Sequence, residues 1–458
     1  MSIINRFRIN QLCLIALLSN AFFLSSCSKF LEEKPDKSLV IPSTIEDMQA
    51  LLDNSGVMNY IYPSVLEIAA DNYYVTESDW ASRSENDRNN YIWAPHAVYN
   101  NNWNSPYQTI FYSNLVLDYL PLVEMTDVHE DLLNNIKGSA LFFRSYAHWN
   151  IAQLYCKPFS SNTSSELGIP LRLNSDFNRK SVRSSIVVTY NQIIEDLQSA
   201  ARLLPENSSV PTKPNKKAAY GALARVFLSM SDFQNAEKYA DSALKIYDTL
   251  IDYNMLDTNS ITPFSRFNSE ILFLSVTPGS GILASSRCKI DSNLINLYSN
   301  NDLRLLLFFS RNSDGTYAPK GGYDEEGIYG QHFYGITTGE MYLTRAESRA
   351  RRGALQSALD DLNLLLEKRW KTGTFMPYES SDPEQVLNWV LEERRKELVL
   401  RGLRWTDLRR LNLEPEFAKT LTRKAAGEIH SLPPNDLRYV LLIPQEVITQ
   451  SGIQQNPR

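Results

Sequence analysis

Small and aromatic side chains recur at helical spacing in two separated stretches of this chain, and that recurrence leaves few folds open. In residues 216–247, Ala219, Tyr220, Leu223, Ala224, Phe227 and Leu228 share one face and predict a helix. Asp232-Phe233 marks a turn, and Ala236, Tyr239, Ala240, Ala243 and Leu244 predict a second helix. Residues 341–366 repeat this with Tyr342, Ala346, Ala350, a turn at Gly353, then Leu355, Ala358, Leu362 and Leu365. With Phe233 set against Leu355, Tyr220 meets Tyr342, Ala224 meets Ala346 and Ala236 meets Ala358. Alanines at helix contacts and a short turn match the tetratricopeptide pattern. The array is interrupted rather than tandem. Residues 250–338 are irregular, with the loop Gly321-Gly322-Tyr323-Asp324-Glu325-Glu326-Gly327.

Helical spacing extends toward the N-terminus. Ser43 or Thr44 caps a helix with Glu46 and Asp47 in its first turn and Met48, Leu51 and Leu52 on one face. Apolar residues from Ile110 to Leu154 predict helices over about 103–157. Residues 186–204 are helical again until Pro205 stops them. Residues 158–180 read as loop. Residues 56–106 are rich in Asn, Asp, Ser, Tyr and Trp with weak periodicity. A long irregular stretch of that kind is functional or disordered, and its aromatic content argues against disorder. For Trp93, Trp103 and Tyr107 the expectation is core packing.

Composition narrows the function. Glycine accounts for 18 of 458 residues, and Tyr (24) outnumbers Phe (19). Scarce glycine argues against glycine-rich phosphate loops and turn-dense β sandwiches. The net charge of −6 argues against a binder of nucleic-acid backbones. There is no GxSxG, HExxH or CxxC, and His96, His129, His148, His332 and His430 are scattered without ligand spacing. Acidic residues are plentiful, so counting does not decide for or against a glycosidase with paired carboxylates. Neither a cofactor nor a metal ion is expected.

The N-terminus sets the compartment. Arg6 and Arg8 precede the apolar run Leu12–Leu24, which is too short to span a bilayer. A basic start and a short apolar run are the layout of a signal peptide. Leu24-Ser25-Ser26-Cys27 resembles the bacterial lipobox. That resemblance implies cleavage after residue 26 and acylation of Cys27, the only anchor expected. Residues 28–37 read as a charged, Pro-interrupted tether. Cys156 and Cys288 also remain, and their spacing leaves open whether they pair.

The C-terminal block, Trp389 to Leu411, reads as a helix with Glu392–Lys396 and Glu397–Arg401 pairs at i,i+4, a C-cap at Gly402 and a second helix from near Trp405. Its charge run reads as a solvated or internally paired face rather than a nucleic-acid site. The block resembles the SusD/RagB family of Bacteroidetes outer-membrane lipoproteins. Their pattern Glu-Arg-Arg-x-Glu-Leu, then Gly-x-Arg-(aromatic)-x-Asp-Leu-(Arg/Lys)-Arg, is matched by Glu393, Arg394, Arg395, Glu397, Leu398, Gly402, Arg404, Trp405, Asp407, Leu408, Arg409 and Arg410. Ile443-Pro444-Gln445-Glu446-Val447-Ile448 and Gln455-Asn456-Pro457 fit as well, as do the lipobox, the Cys27-to-Pro35 segment, the Ala346-Glu347 helix and the helical repeats.

The resemblance implies a mainly α fold: about four tetratricopeptide-like helix pairs brace a loop-rich, ligand-facing half. Residues 1–26 would be the signal peptide. Residues 27–215 and 216–458 would be the N- and C-terminal regions of one compact unit. It implies a non-enzymatic, lipid-anchored, surface-exposed protein of the outer membrane. Such a protein captures glycans and passes them to a SusC-like TonB-dependent barrel. A peptide-binding, RagB-like role is the alternative, and a periplasmic repeat scaffold that binds only protein is a further one.

Sugars present C–H faces to aromatic rings and hydroxyls to polar side chains. Asp71 to Arg83 supplies both, and Tyr317, Tyr323 and Tyr329 form a second region. Ligand contact is expected at Trp80, Tyr73, Arg83 and Asn72, then Tyr323 and Tyr317. Tyr74 is a further flat surface of the same kind.

Overall fold

The computed structural model describes residues 41–60, 62–123, 130–160, 165–325 and 330–458. The expected signal peptide, Cys27, the tether and Tyr329 lie outside the described residues. Helix α1 (Ile45–Asp53) opens on a capping box: the Asp47 amide donates to Thr44 Oγ1 (3.1 Å) and the Thr44 amide to Asp47 Oδ2 (3.0 Å). The stretch read as irregular then makes short turns of helix. Two of them, Glu77–Ala81 and Glu85–Tyr91, are capped by Thr76 and Ser84.

Longer helices follow: α2 (Asn100–Tyr119), α3 (Glu130–Tyr155), α4 (Ile186–Leu203), α5 (Lys216–Ser229), α6 (Phe233–Ile246), α7 (Thr338–Arg351), α8 (Leu355–Glu367), α9 (Pro383–Glu397) and α10 (Arg404–Leu411). Each helix from α2 to α8 packs on the next, and α9 lies against α7 and α8. The series is unbroken in space, because α6 packs on α7 although residues 247–337 separate them in sequence. Ala224, Ala236, Ala346 and Ala358 are fully buried, so the aligned small residues do sit at helix contacts. The boundary drawn at 215/216 falls at Asn215, the N-cap of α5, and Ser43–Arg458 group as one unit.

The far end of α3 is pinned by cations and amides. Arg409 donates to the carbonyls of Gln153 and Cys156, and Asn456 donates to Tyr155 O (3.1 Å) and Leu441 O (2.7 Å). A cation at a helix C-terminus meets the negative end of its dipole. Trp93 and Trp103 are buried, and Tyr107 donates to Pro170 O (2.8 Å), as core packing requires. Cys156 and Cys288 are both free and buried.

The strands of the described residues pair two by two and antiparallel. Tyr73–Tyr74 pairs with Lys289–Ile290, and Phe309–Arg311 with Tyr317–Pro319. Leu421–Ala425 and Glu428–Leu432 form a hairpin whose two-residue turn, Ala426 (φ 56°) and Gly427 (φ 73°), is left-handed at both positions. That is the geometry that suits the twist of a hairpin.

The charge run of the C-terminal block is internally paired, mostly with segments outside its own helix. Arg304 binds Asp302 (2.7 Å), Glu393 (2.6 Å) and Glu397 (3.2 Å). Arg369 binds Glu270 (2.8 Å) and Glu397 (2.9 Å), and Lys396 binds Glu393 (2.7 Å) and Asp302 (3.2 Å). These groups are almost wholly shielded from solvent. Two expectations are therefore corrected. Glu397 is turned inward to Arg304 and Arg369, and Lys396 to Asp302 and to Glu393 one turn back, rather than to the expected i,i+4 neighbours. Gly402 lies beyond the end of α9 and does not cap it. At φ 67° it takes a conformation that disfavours a side chain, and a Cβ there would collide with the Tyr334 ring.

Burial opposes ionisation of Glu397, yet Arg369 and Arg304 hold its carboxyl down to about 2. Removing it leaves two buried guanidinium groups short of counter-charge. Glu397→Ala is expected to cost about 3–5 kcal/mol, read as a lower urea midpoint. A loss below about 1 kcal/mol would show that the network does not hold the fold.

Candidate functional site

Three segments distant in sequence, together with Tyr91 and Trp93, form one cleft of about 570 Å³. Its first wall is Asp71–Val75. There Asn72 O accepts from the Asp291 amide (2.9 Å), and the ladder sets Tyr73 opposite Ile290 and Tyr74 opposite Lys289. Strand alternation sends successive side chains to opposite faces. Tyr73 goes inward, 3% exposed, with its hydroxyl donating to Ile68 O (3.0 Å); Tyr74 goes outward at 37%. The second segment brings Asp291 and the exposed Asn293. The third is 419–424, where Leu421 and Arg423 are buried while Lys419, Thr422 and Lys424 are exposed.

Two pins hold these walls. Asp71 accepts two bonds from Arg404 (2.6 and 3.0 Å) and one from Lys419 (2.9 Å). Arg395 donates to the Asp71 carbonyl (3.0 Å). Burial opposes the charge on Asp71, but Arg404, Arg395 and Lys419 hold its carboxyl well below the usual range. Arg423 is the second pin. It donates to Ile68 O (2.8 Å), Tyr91 O (2.6 Å) and Ala70 O, and lies over the rings of Tyr91 (3.9 Å), Trp93 (4.9 Å) and Tyr73 (5.0 Å). The carboxylate of Glu77 accepts from the Ala426 amide (2.7 Å) and fixes the hairpin turn beside the cleft.

The structure sorts the expected ligand residues. Tyr73 lines the cleft, while Trp80 and Tyr317 pack half-buried against the apolar cluster to which Tyr73 belongs. Trp80 Nε1 donates to Arg88 O (3.3 Å). Arg83 is half-buried next to Gly281 and donates to Ser82 Oγ (3.0 Å). Asn72 and Tyr323 are corrected, since both are buried and donate to carboxylates inside the protein. Asn72 Nδ2 donates to Glu67 Oε1 (2.8 Å). Tyr323 donates to Glu270 and carries the Arg401 guanidinium 3.6 Å above its ring. Sequence reading missed Asp291, Asn293, Lys419, Arg423 and Lys424. The one signal for the last two was the alternation of Leu421–Ala425 before a Gly-containing turn.

Burial pushes His148 down to about 3 and His332 to about 4, so neither supplies a proton-transfer group near neutrality. Among the described residues, no group of three or more His, Cys, Asp or Glu side chains could hold a metal ion. The cleft thus offers an exposed aromatic ring, hydrogen-bonding side chains and cations. It is equipped for binding a polar ligand.

Glu67 lies fully buried behind this wall and accepts from Asn72 and from the Gly402 amide (3.2 Å). Burial raises its pKa from 4.5 to about 7. Between those values the folded protein keeps a proton that the unfolded chain releases, so this contribution to stability is lost as pH rises. Relative to wild type, Glu67→Gln should gain stability between pH 4.5 and 7, by up to about 3 kcal/mol. Urea denaturation across that range checks it, and a pH-independent difference would contradict the assignment.

Two family models match the sequence. One, described as SusD-like, starch-binding associating with outer membrane, covers residues 29–228; the other, described as the SusD family, covers residues 309–457. Among solved structures, a SusD superfamily protein from Bacteroides thetaiotaomicron superposes with a TM-score of 0.74 at 24% identity, covering 91% of this chain and 100% of that one. A SusD superfamily protein from Bacteroides vulgatus gives 0.75 at 21% identity, over 91% and 99%. A SusD-like carbohydrate binding protein from Bacteroides vulgatus gives 0.69 at 18% identity, over 90% and 97%. At these identities the structures share the fold. No curated protein matches the sequence.

Proposed function

The chain belongs to the SusD family, and from that premise we propose that it is a cell-surface lipoprotein that captures glycans and hands them to a SusC-like TonB-dependent transporter. The cleft carries the reading. Tyr74 presents an exposed ring at its rim, and Asn293 and Lys419 supply donors and an acceptor beside it. A sugar needs that pairing, a flat apolar surface for its C–H face and polar groups for its hydroxyls. Further contacts are proposed at Trp80 and Tyr317, whose segments pack on the strands of the cleft, and at Arg83. The carbohydrate-binding description of one structural neighbour supports a glycan over a peptide.

Capture without turnover fits the site, whose carboxylates are bonded to cations or to backbone. Anchoring rests on Leu24-Ser25-Ser26-Cys27 and on the basic, apolar segment before it. No helix of the described residues is long and apolar enough to cross a membrane. An acylated Cys27 would tether the protein beside its transporter.

Tyr74→Ala is expected to weaken oligosaccharide binding about tenfold, in line with losing one aromatic stacking contact, with thermal stability nearly unchanged. Titration calorimetry on a bound oligosaccharide reads both affinity and stoichiometry. Unchanged affinity in Tyr74→Ala and Trp80→Ala alike would remove this face from the binding site. In cells, Cys27→Ser should abolish labelling by a palmitate analogue and release the protein from membranes. Persistent labelling would place the acyl group elsewhere.

A further inference from the structure

We propose that the cleft is selective for anionic glycans, sugars that carry a carboxylate or sulfate group. The proposal rests on the glycan-capture reading and names the ligand class of that same site. Three cations, Lys419, Arg423 and Lys424, and three carboxylates, Asp71, Glu77 and Asp291, line the cleft; from behind, Arg395 and Arg404 pair with those carboxylates, and Glu67 is buried there as well.

The carboxylates are already spent. Asp71 is shared among Arg404, Lys419 and Arg395. Glu77 accepts from the hairpin turn. Asp291 caps a helical turn through the Leu294 amide (3.1 Å) and faces Arg395 at 3.6 Å. The cations are not all spent. The hydrogen bonds of Arg423 go to backbone carbonyls, which satisfy its donors without cancelling its charge. Lys424 is exposed and pairs with no described carboxylate. Lys419 can swing toward a ligand, because Arg404 keeps Asp71 paired through two bonds.

This unspent positive charge sits in a chain of net charge −6, so it is a local feature. A concave site with low-dielectric walls focuses such a field. A neutral sugar gains little from it. A sugar stacked on Tyr74 with an acidic substituent would pair that group with Lys419 and Lys424.

The test is a glycan array holding neutral, uronate-bearing and sulfated oligosaccharides, with an acidic peptide spotted alongside. It is probed with the mature protein and with the Lys419→Gln, Lys424→Gln double variant. Both lysines are exposed, and a matching thermal melt confirms that the variant folds. Lys424→Glu alone serves as a second variant. The expected result is that bound glycans are anionic, that each variant weakens them about tenfold, and that raising salt weakens them further. The uronate and sulfate arms identify the group recognised. If the bound glycans are neutral, or if neither the variants nor salt alters affinity, the anion assignment is overturned while glycan capture stands. If no glycan binds, or only the acidic peptide does, both are overturned.

Discussion

The carboxylate of Glu397 sits between two buried guanidinium groups, and the loop-rich half of the protein depends on that meeting. Glu397 ends α9. Arg304 comes from the segment inserted between α6 and α7, and Arg369 from the chain just after α8. Glu270 and Tyr323, also from the inserted segment, complete the cluster. An isolated buried charge is strongly unfavourable, so each ion is tolerated only with its partners in place. The network therefore behaves as a key: the inserted segment is accepted against the helices in one arrangement.

A second consequence concerns the cleft. Its walls come from residues 71–77, 291–293 and 419–424, none of which belongs to the long packed helices. Their relative placement rests on Asp71 and Arg423, each of which binds across the cleft's lining. Arg423 combines hydrogen bonds to three carbonyls with contacts to three aromatic faces, which uses both the fork and the plane of its guanidinium. A floor held this way is stiff, while Lys424 and Tyr74 stand exposed at the rim. Rigid placement with exposed rim groups suits recognition of one chemical class.

The helical series was legible because its signal is local: alanine and aromatic spacing, Pro205, a cap at Ser43 or Thr44 and the turn at Asp232-Phe233. For the C-terminal charges the sequence left a solvated or an internally paired face open, and the structure shows the second. Which partners could not be read. Arg304, Arg369 and Glu270 lie in segments without periodicity, and only the fold brings them to Glu393 and Glu397. The cleft was half legible. Residue type drew attention to the stretch around Tyr73, but type cannot separate Tyr73 from Tyr74. That depends on the register with Lys289–Ile290, fixed by pairing far away in sequence. Asn72 and Tyr323 look like ligand residues because buried polar bonding to Glu67 and Glu270 needs the same chemistry as binding a sugar.

Asp71 and Arg404 stand 333 positions apart. A ribosome makes Asp71 early and Arg404 near the end, so this wall of the cleft has no charge partners during most of synthesis. Helix pairs such as α5 and α6 can close on themselves as they emerge, whereas the cleft waits for the last part of the chain. Long-range closure of this kind is slow, and it leaves the Asn- and Tyr-rich early segment open to other company in the interval. Biogenesis is then a stage at which this wall is open to error, and a chain truncated before residue 404 would lack the partner that holds Asp71 and shapes the site.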